Sequence, residues 1–75
     1  MTKTLRNIIV LRTNVNNVSA LSAIAGTLNA NPQILRWTID LEDEDNVLRI
    51  ESDTLTIKDI ITTLQEAGYE AEDLI

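Results

Sequence analysis

ILRWTIDLEDEDNVLRIES, Ile34–Ser52, passes from alternation through a polar turn back to a strand. In its first part Leu35, Trp37, Ile39 and Leu41 fall on one side, and Arg36, Thr38 and Asp40 on the other. Alternation with period two is strand geometry, because successive side chains of an extended chain point to opposite faces. Glu42–Asn46, EDEDN, is a polar turn. Val47–Ser52 then resumes a strand with Leu48 and Ile50 inward, which makes the whole stretch a hairpin.

Each side of the hairpin changes period. Upstream, Val18, Leu21, Ile24, Ala25 and Leu28 recur at helical spacing and form one stripe. Asn16 or Asn17 is suited to cap that helix, since an asparagine oxygen can accept from a free amide of the first turn. NANP, Asn29–Pro32, ends it, because proline cannot continue a helix. Downstream, Thr56 opens a second helix with Asp59 three residues on, a variant of the capping box, and Ile57, Ile60, Ile61 and Leu64 supply the stripe. Gly68 stands where a left-handed residue ends a helix.

Two more strands lie outside the helices. In Leu5–Thr13, Leu5, Ile9 and Leu11 share one face, and Arg6, Ile8, Val10 and Arg12 the other. Tyr69–Ile75 reads as a short last strand with Tyr69 and Ala71 on one face. The order is β-α-β-β-α-β, and its packing solution is α+β: a ferredoxin-like βαββαβ sandwich, a four-stranded antiparallel sheet with two helices on one face. At 75 residues this is a single domain, residues 1–75, with a small core.

Composition excludes several chemistries. The chain has no cysteine and no histidine, so it has no disulfide, no thiolate ligand, no catalytic thiol and no imidazole base or ligand. Twelve acidic against six basic residues give a net charge of −6, which repels nucleic-acid phosphates and anionic lipids. The opening MTKTLRNIIVLRT has too short an apolar stretch for a signal peptide, and no run approaches a membrane span, so the expected address is cytoplasmic.

RTNVNNVSALSAI, followed by ILRWTIDLEDEDNVLRIES and IKDIITTLQEAGYEAEDL, resembles the heavy-metal-associated domain of copper chaperones and copper-transporting ATPases. The small stand-alone bacterial members are the most similar. The resemblance covers nearly the whole chain, and TNVN, the Trp37 strand and AGYEAE carry most of it. Members of that family usually hold two cysteines, two residues apart, in the loop entering the first helix. There both thiolates reach one soft ion beside the helix N-terminus. The resemblance puts those positions at Asn17 and Ala20, so both thiols are missing. An asparagine oxygen is a hard, neutral donor and a methyl is none, and the only sulfur is in Met1. No cofactor and no tight copper or zinc binding is expected.

Two other surfaces are candidate contacts. Asn14, Asn16, Asn17 and Ser19 form a polar lip at the start of the first helix, read first as capping and turn chemistry and second as a docking site for a small anion or peptide. Alternation also sets Arg6, Ile8, Val10, Arg12, Ile34, Arg36, Thr38, Val47, Arg49 and Glu51 on the sheet face away from the helices. Branched apolar residues with arginines around them fit a protein partner or a homodimer, centred on Ile8, Val10, Arg12, Arg36 and Arg49. The acidic run Asp40–Asn46 lacks the glycine and final glutamate of an EF-hand and reads as a solvated turn. Nothing desolvates the carboxylates for acid/base work, so an enzyme is not expected. The resulting functional expectation is a degenerate heavy-metal-associated domain that serves protein interaction or regulation. The alternative on the same plan is an ACT-like regulatory domain. That type tends to use glycine or aspartate in the first strand-to-helix loop, and this loop has neither.

Overall fold

The computed structural model describes residues 8–74 and the backbone of Asn7. The expected positions of Leu5, Arg6 and Ile75 lie outside the described residues. The elements run β1 (Asn7–Thr13), α1 (Val18–Asn29), β2 (Arg36–Asp40), β3 (Val47–Ser52), α2 (Ile57–Glu66) and β4 (Ala71–Asp73). The strands form one sheet in the order β2-β3-β1-β4, all neighbours antiparallel. This is the ferredoxin-like arrangement expected, with β1 and β3 central and β2 and β4 at the edges.

The core lies between the sheet and the helices. Ile9 and Leu11 of β1 and Leu48 and Ile50 of β3 are buried with Ala20, Ile24 and Leu28 of α1 and Ile60 and Leu64 of α2. Val15 and Leu55, from the two strand-to-helix connections, close it. Removing these aliphatic side chains from water is the main favourable term, at roughly 25 cal/mol per Å² of apolar surface.

The helix ends are chemically complete. Asn17 is the N-cap of α1, in extended backbone, with Oδ1 accepting from Ala20 N at 2.8 Å. Thr56 caps α2 with the reciprocal Asp59 bond in place. At the end of α2, Tyr69 N donates to Leu64 O and Gly68 N to Gln65 O, with Gly68 at φ +94°; this is the paired closure that glycine permits.

Four sequence expectations need correction. Val18 is 71% exposed, and Ala20 takes its place in the buried stripe. Val18 is the first helical residue and sits about 200° round the helix from Ala20, so it faces away from the sheet. Leu35, expected inward with Trp37, is 48% exposed, whereas Ile34, expected on the open face, packs against the core. The cause is a bulge: Leu35 N donates to Glu51 O at 2.8 Å while Arg36 is the register partner of Glu51. Two residues then oppose one, and the extra residue reverses the alternation upstream of it. Val47 is buried although its position in the pairing puts it on the open face. It lies outside the core cluster and is paired with Asp40 of β2. Finally, β4 is confined to Ala71–Asp73.

Candidate functional site

The connection from β1 to α1 begins with Thr13, which continues the inward row of Ile9 and Leu11 and is buried. Its hydroxyl donates to Asn46 O at 2.8 Å and accepts from Val15 N at 3.2 Å. Thr13 N also donates to Asp45 O at 3.1 Å, so the acidic turn is stitched to the end of β1. Asn46 reaches this position through a left-handed backbone, φ +48°, which asparagine tolerates better than most residues.

The polar lip divides into separate jobs. Asn14 N donates to Glu70 O at 3.2 Å, and Asn14 Oδ1 accepts from Glu70 N at 2.9 Å, so this asparagine extends the β1–β4 ladder. Asn16 Oδ1 accepts from Asn17 Nδ2 at 3.2 Å. Asn17 Oδ1 is committed to Ala20 N, and Asn17 O accepts from Leu21 N. Ser19 is exposed on the first turn. The two positions that the resemblance marks as ligands are thus bonded to each other through the cap, and Ala20 is only 4% exposed. An amide oxygen already accepting a hydrogen bond and a buried methyl do not fit a soft ion.

The acidic turn uses its carboxylates one at a time. Asp40 Oδ1 accepts from Glu42 N at 3.0 Å and Asp43 Oδ1 from Asp45 N at 2.8 Å, each closing a local turn. Asp45 Oδ1 lies 3.4 Å from Arg12 Nε. Among the described residues no group of three or more histidine, cysteine, aspartate or glutamate side chains is placed to hold a metal ion.

The open sheet face carries the other candidate residues. The strand pairings put Arg36, Glu51 and Ile8 in one row, and Thr38, Arg49 and Val10 in the next. Ile8 is 55% exposed, Val10 is half-buried, and Arg36 and Arg49 are exposed. A shallow hollow of about 280 Å³ is lined by Ile8, Arg36, Trp37, Thr38, Arg49 and Glu51. Arg12 stands apart, held by Asp45 and by Glu72 at 3.3 Å, so its charge is engaged within the chain. Trp37 packs partly on the core and its indole N–H donates to Asn29 Oδ1 at 2.9 Å.

Sequence reasoning missed the structural use of Thr13 and Ser52. These are the two buried polar residues among those described, and each ends a central strand. The signal was present, since both follow the inward apolar positions of their strands in strict alternation.

No family model matches the chain. No curated protein matches it either. Among solved structures, it is similar to the solution structure of a candidate copper-ion-binding protein from Bacillus anthracis str. Ames, with a TM-score of 0.74 and 15% sequence identity. The alignment covers 93% of this chain and 100% of that one. This likeness speaks to the fold, which agrees with the fold implied by the sequence resemblance. No helix among the described residues is long and apolar enough to cross a membrane.

Proposed function

We propose that this chain is a heavy-metal-associated-like domain that has lost metal carriage and works as a cytoplasmic, non-enzymatic interaction or regulatory module. One observation carries the reading: Asn17 Oδ1 accepts from Ala20 N at 2.8 Å, joining in a finished helix cap the two positions that the resemblance marks as ligands. A loop serving as an ion site leaves donor atoms pointing outward; this one spends its donor on the helix. The fold shared with a copper-associated protein supports the scaffold half of the proposal. The exposed arginines and Ile8 of the open sheet support the interaction half.

A competition titration against a strong monovalent-copper chelator tests it. The native chain should take up no copper, and the double variant Asn17→Cys with Ala20→Cys should gain one copper per chain. Retention of one copper by the native chain defeats the metal-free reading. A folded double variant that stays empty defeats the alignment of Asn17 and Ala20 with the ligand positions.

A further inference from the structure

We propose that the free edge of β2 pairs with the β2 of a second copy, joining two sheets across a two-fold axis through Thr38. This deepens the interaction reading by naming the partner, but it stands on β2 alone.

Leu74 N donates to Val10 O and Asn14 N to Glu70 O, so the even-numbered residues of β1 turn their backbone toward β4 and the odd ones toward β3. Antiparallel pairing alternates, so Leu48 and Ile50 of β3 face β1, and Val47, Arg49 and Glu51 face β2. Their partners Asp40, Thr38 and Arg36 therefore turn inward to β3. Trp37 and Ile39 are left with N–H and C=O directed out of the sheet, and among the described residues no strand lies beyond β2.

Those outward groups limit how a second β2 can pair, because a hydrogen-bonded pair must join two outward residues. The allowed antiparallel registers set Trp37 opposite Trp37, Trp37 opposite Ile39, or Ile39 opposite Ile39. Only the middle one is matched along its whole length. It places Arg36 against the second copy's Asp40 on the open face, twice by symmetry, and Trp37 beside its Ile39 on the helix face. Opposite charges and aromatic–branched pairs are both favourable cross-strand neighbours. RWTID, Arg36–Asp40, is thus complementary to itself when read in reverse. The bulge at Leu35–Arg36 stops the ladder, so the contact is confined to five residues and closes as a pair.

The opposite edge lacks this property. β4 is Ala71-Glu72-Asp73, and any antiparallel self-pairing sets acid against acid or leaves alanine opposite aspartate. Nor does β2 carry the lysine or proline that commonly blunts an edge.

Charge exchange tests the register. Sedimentation equilibrium of the native chain up to about 1 mM should show a reversible dimer. Arg36→Asp and Asp40→Arg, each alone, bring like charges together at both ends and should weaken self-association roughly tenfold or more. Mixed in equal amounts, the two variants should recover a heterodimer, because every Arg–Asp contact is then restored. A native chain that stays monomeric overturns the proposal, as does a mixture that does not associate. The register has an independent readout in Thr38→Cys. Two non-hydrogen-bonded partners on the axis have Cα atoms about 4.5 Å apart, within the range a disulfide spans. The chain has no other thiol, so mild oxidation should cross-link this variant and not Thr62→Cys on α2. Equal cross-linking of both variants counts against the register. Failure here leaves the copper titration of the native chain unaffected, so the two readings fall separately.

Discussion

At the end of β1, the buried Thr13 hydroxyl accepts from Val15 N, the fully buried Val15 follows, and Asn17 caps α1. At the end of β3, the buried Ser52 hydroxyl accepts from Thr54 N at 3.2 Å and from Leu55 N at 2.9 Å, the buried Leu55 follows, and Thr56 caps α2. Both junctions turn a strand into a helix with a buried hydroxyl, an aliphatic plug and a polar cap. They part at the third helical residue. In α2 that residue is Asp59, whose carboxylate returns the bond to Thr56 N; in α1 it is Ala20, which returns nothing. The position that the resemblance marks as the second metal ligand is the one where a capping box keeps its acid. The first junction thus follows the structural plan of the second, one interaction short.

Substitutions test whether the two junctions are equivalent. The largest effect is expected at the hydroxyls. Ser52→Ala leaves two amides without their acceptor in a fully buried place and should cost about 2–3 kcal/mol. Thr13→Val should cost less, about 1–2 kcal/mol, because one amide and one carbonyl are orphaned nearer the surface. Urea unfolding measures both, and the reverse order would mean that the junctions are not equivalent. The caps come next. Asn17→Ala and Thr56→Ala should each lower stability by about 1 kcal/mol. A neutral Asn17→Ala would separate the first junction from the second and reopen the loop as something other than a cap. The smallest change is a gain. Asn17→Asp supplies at α1 the negative charge that Asp59 supplies at α2, and should add about 0.3–1 kcal/mol at low salt, fading as salt rises.

The order of elements, the capping residues and Gly68 were legible because each rests on local chemistry that any chain of these residues must obey. The inward rows of β1 and β3 were legible for the same reason. The bulge at Leu35–Arg36 was not, since alternation continues in the letters across it and only pairing with Glu51 shows that two residues share one partner. It misplaced both Ile34 and Leu35. Val18 was misread because a large branched residue outweighs a small one in a periodicity, yet the alanine two places on is the one the helix turns inward. At the candidate site, residue types exposed the missing thiols. They could not show that Asn14 binds Glu70 across 56 residues, or that Arg12 is taken by Asp45 and Glu72.

The ties at Thr13 and Asn14 have a consequence for how the chain acquires its shape. Their partners Asn46 and Glu70 lie 33 and 56 positions further along, and β1 is flanked in the sheet only by β3 and β4. During synthesis the central strand emerges before either neighbour exists. Ile9 and Leu11 must wait in water until both later strands have been made. Long-range closures of this kind slow folding, and a nascent strand with bare edges is a target for stray pairing. The topology itself therefore leaves those few residues bare until the later half of the chain arrives.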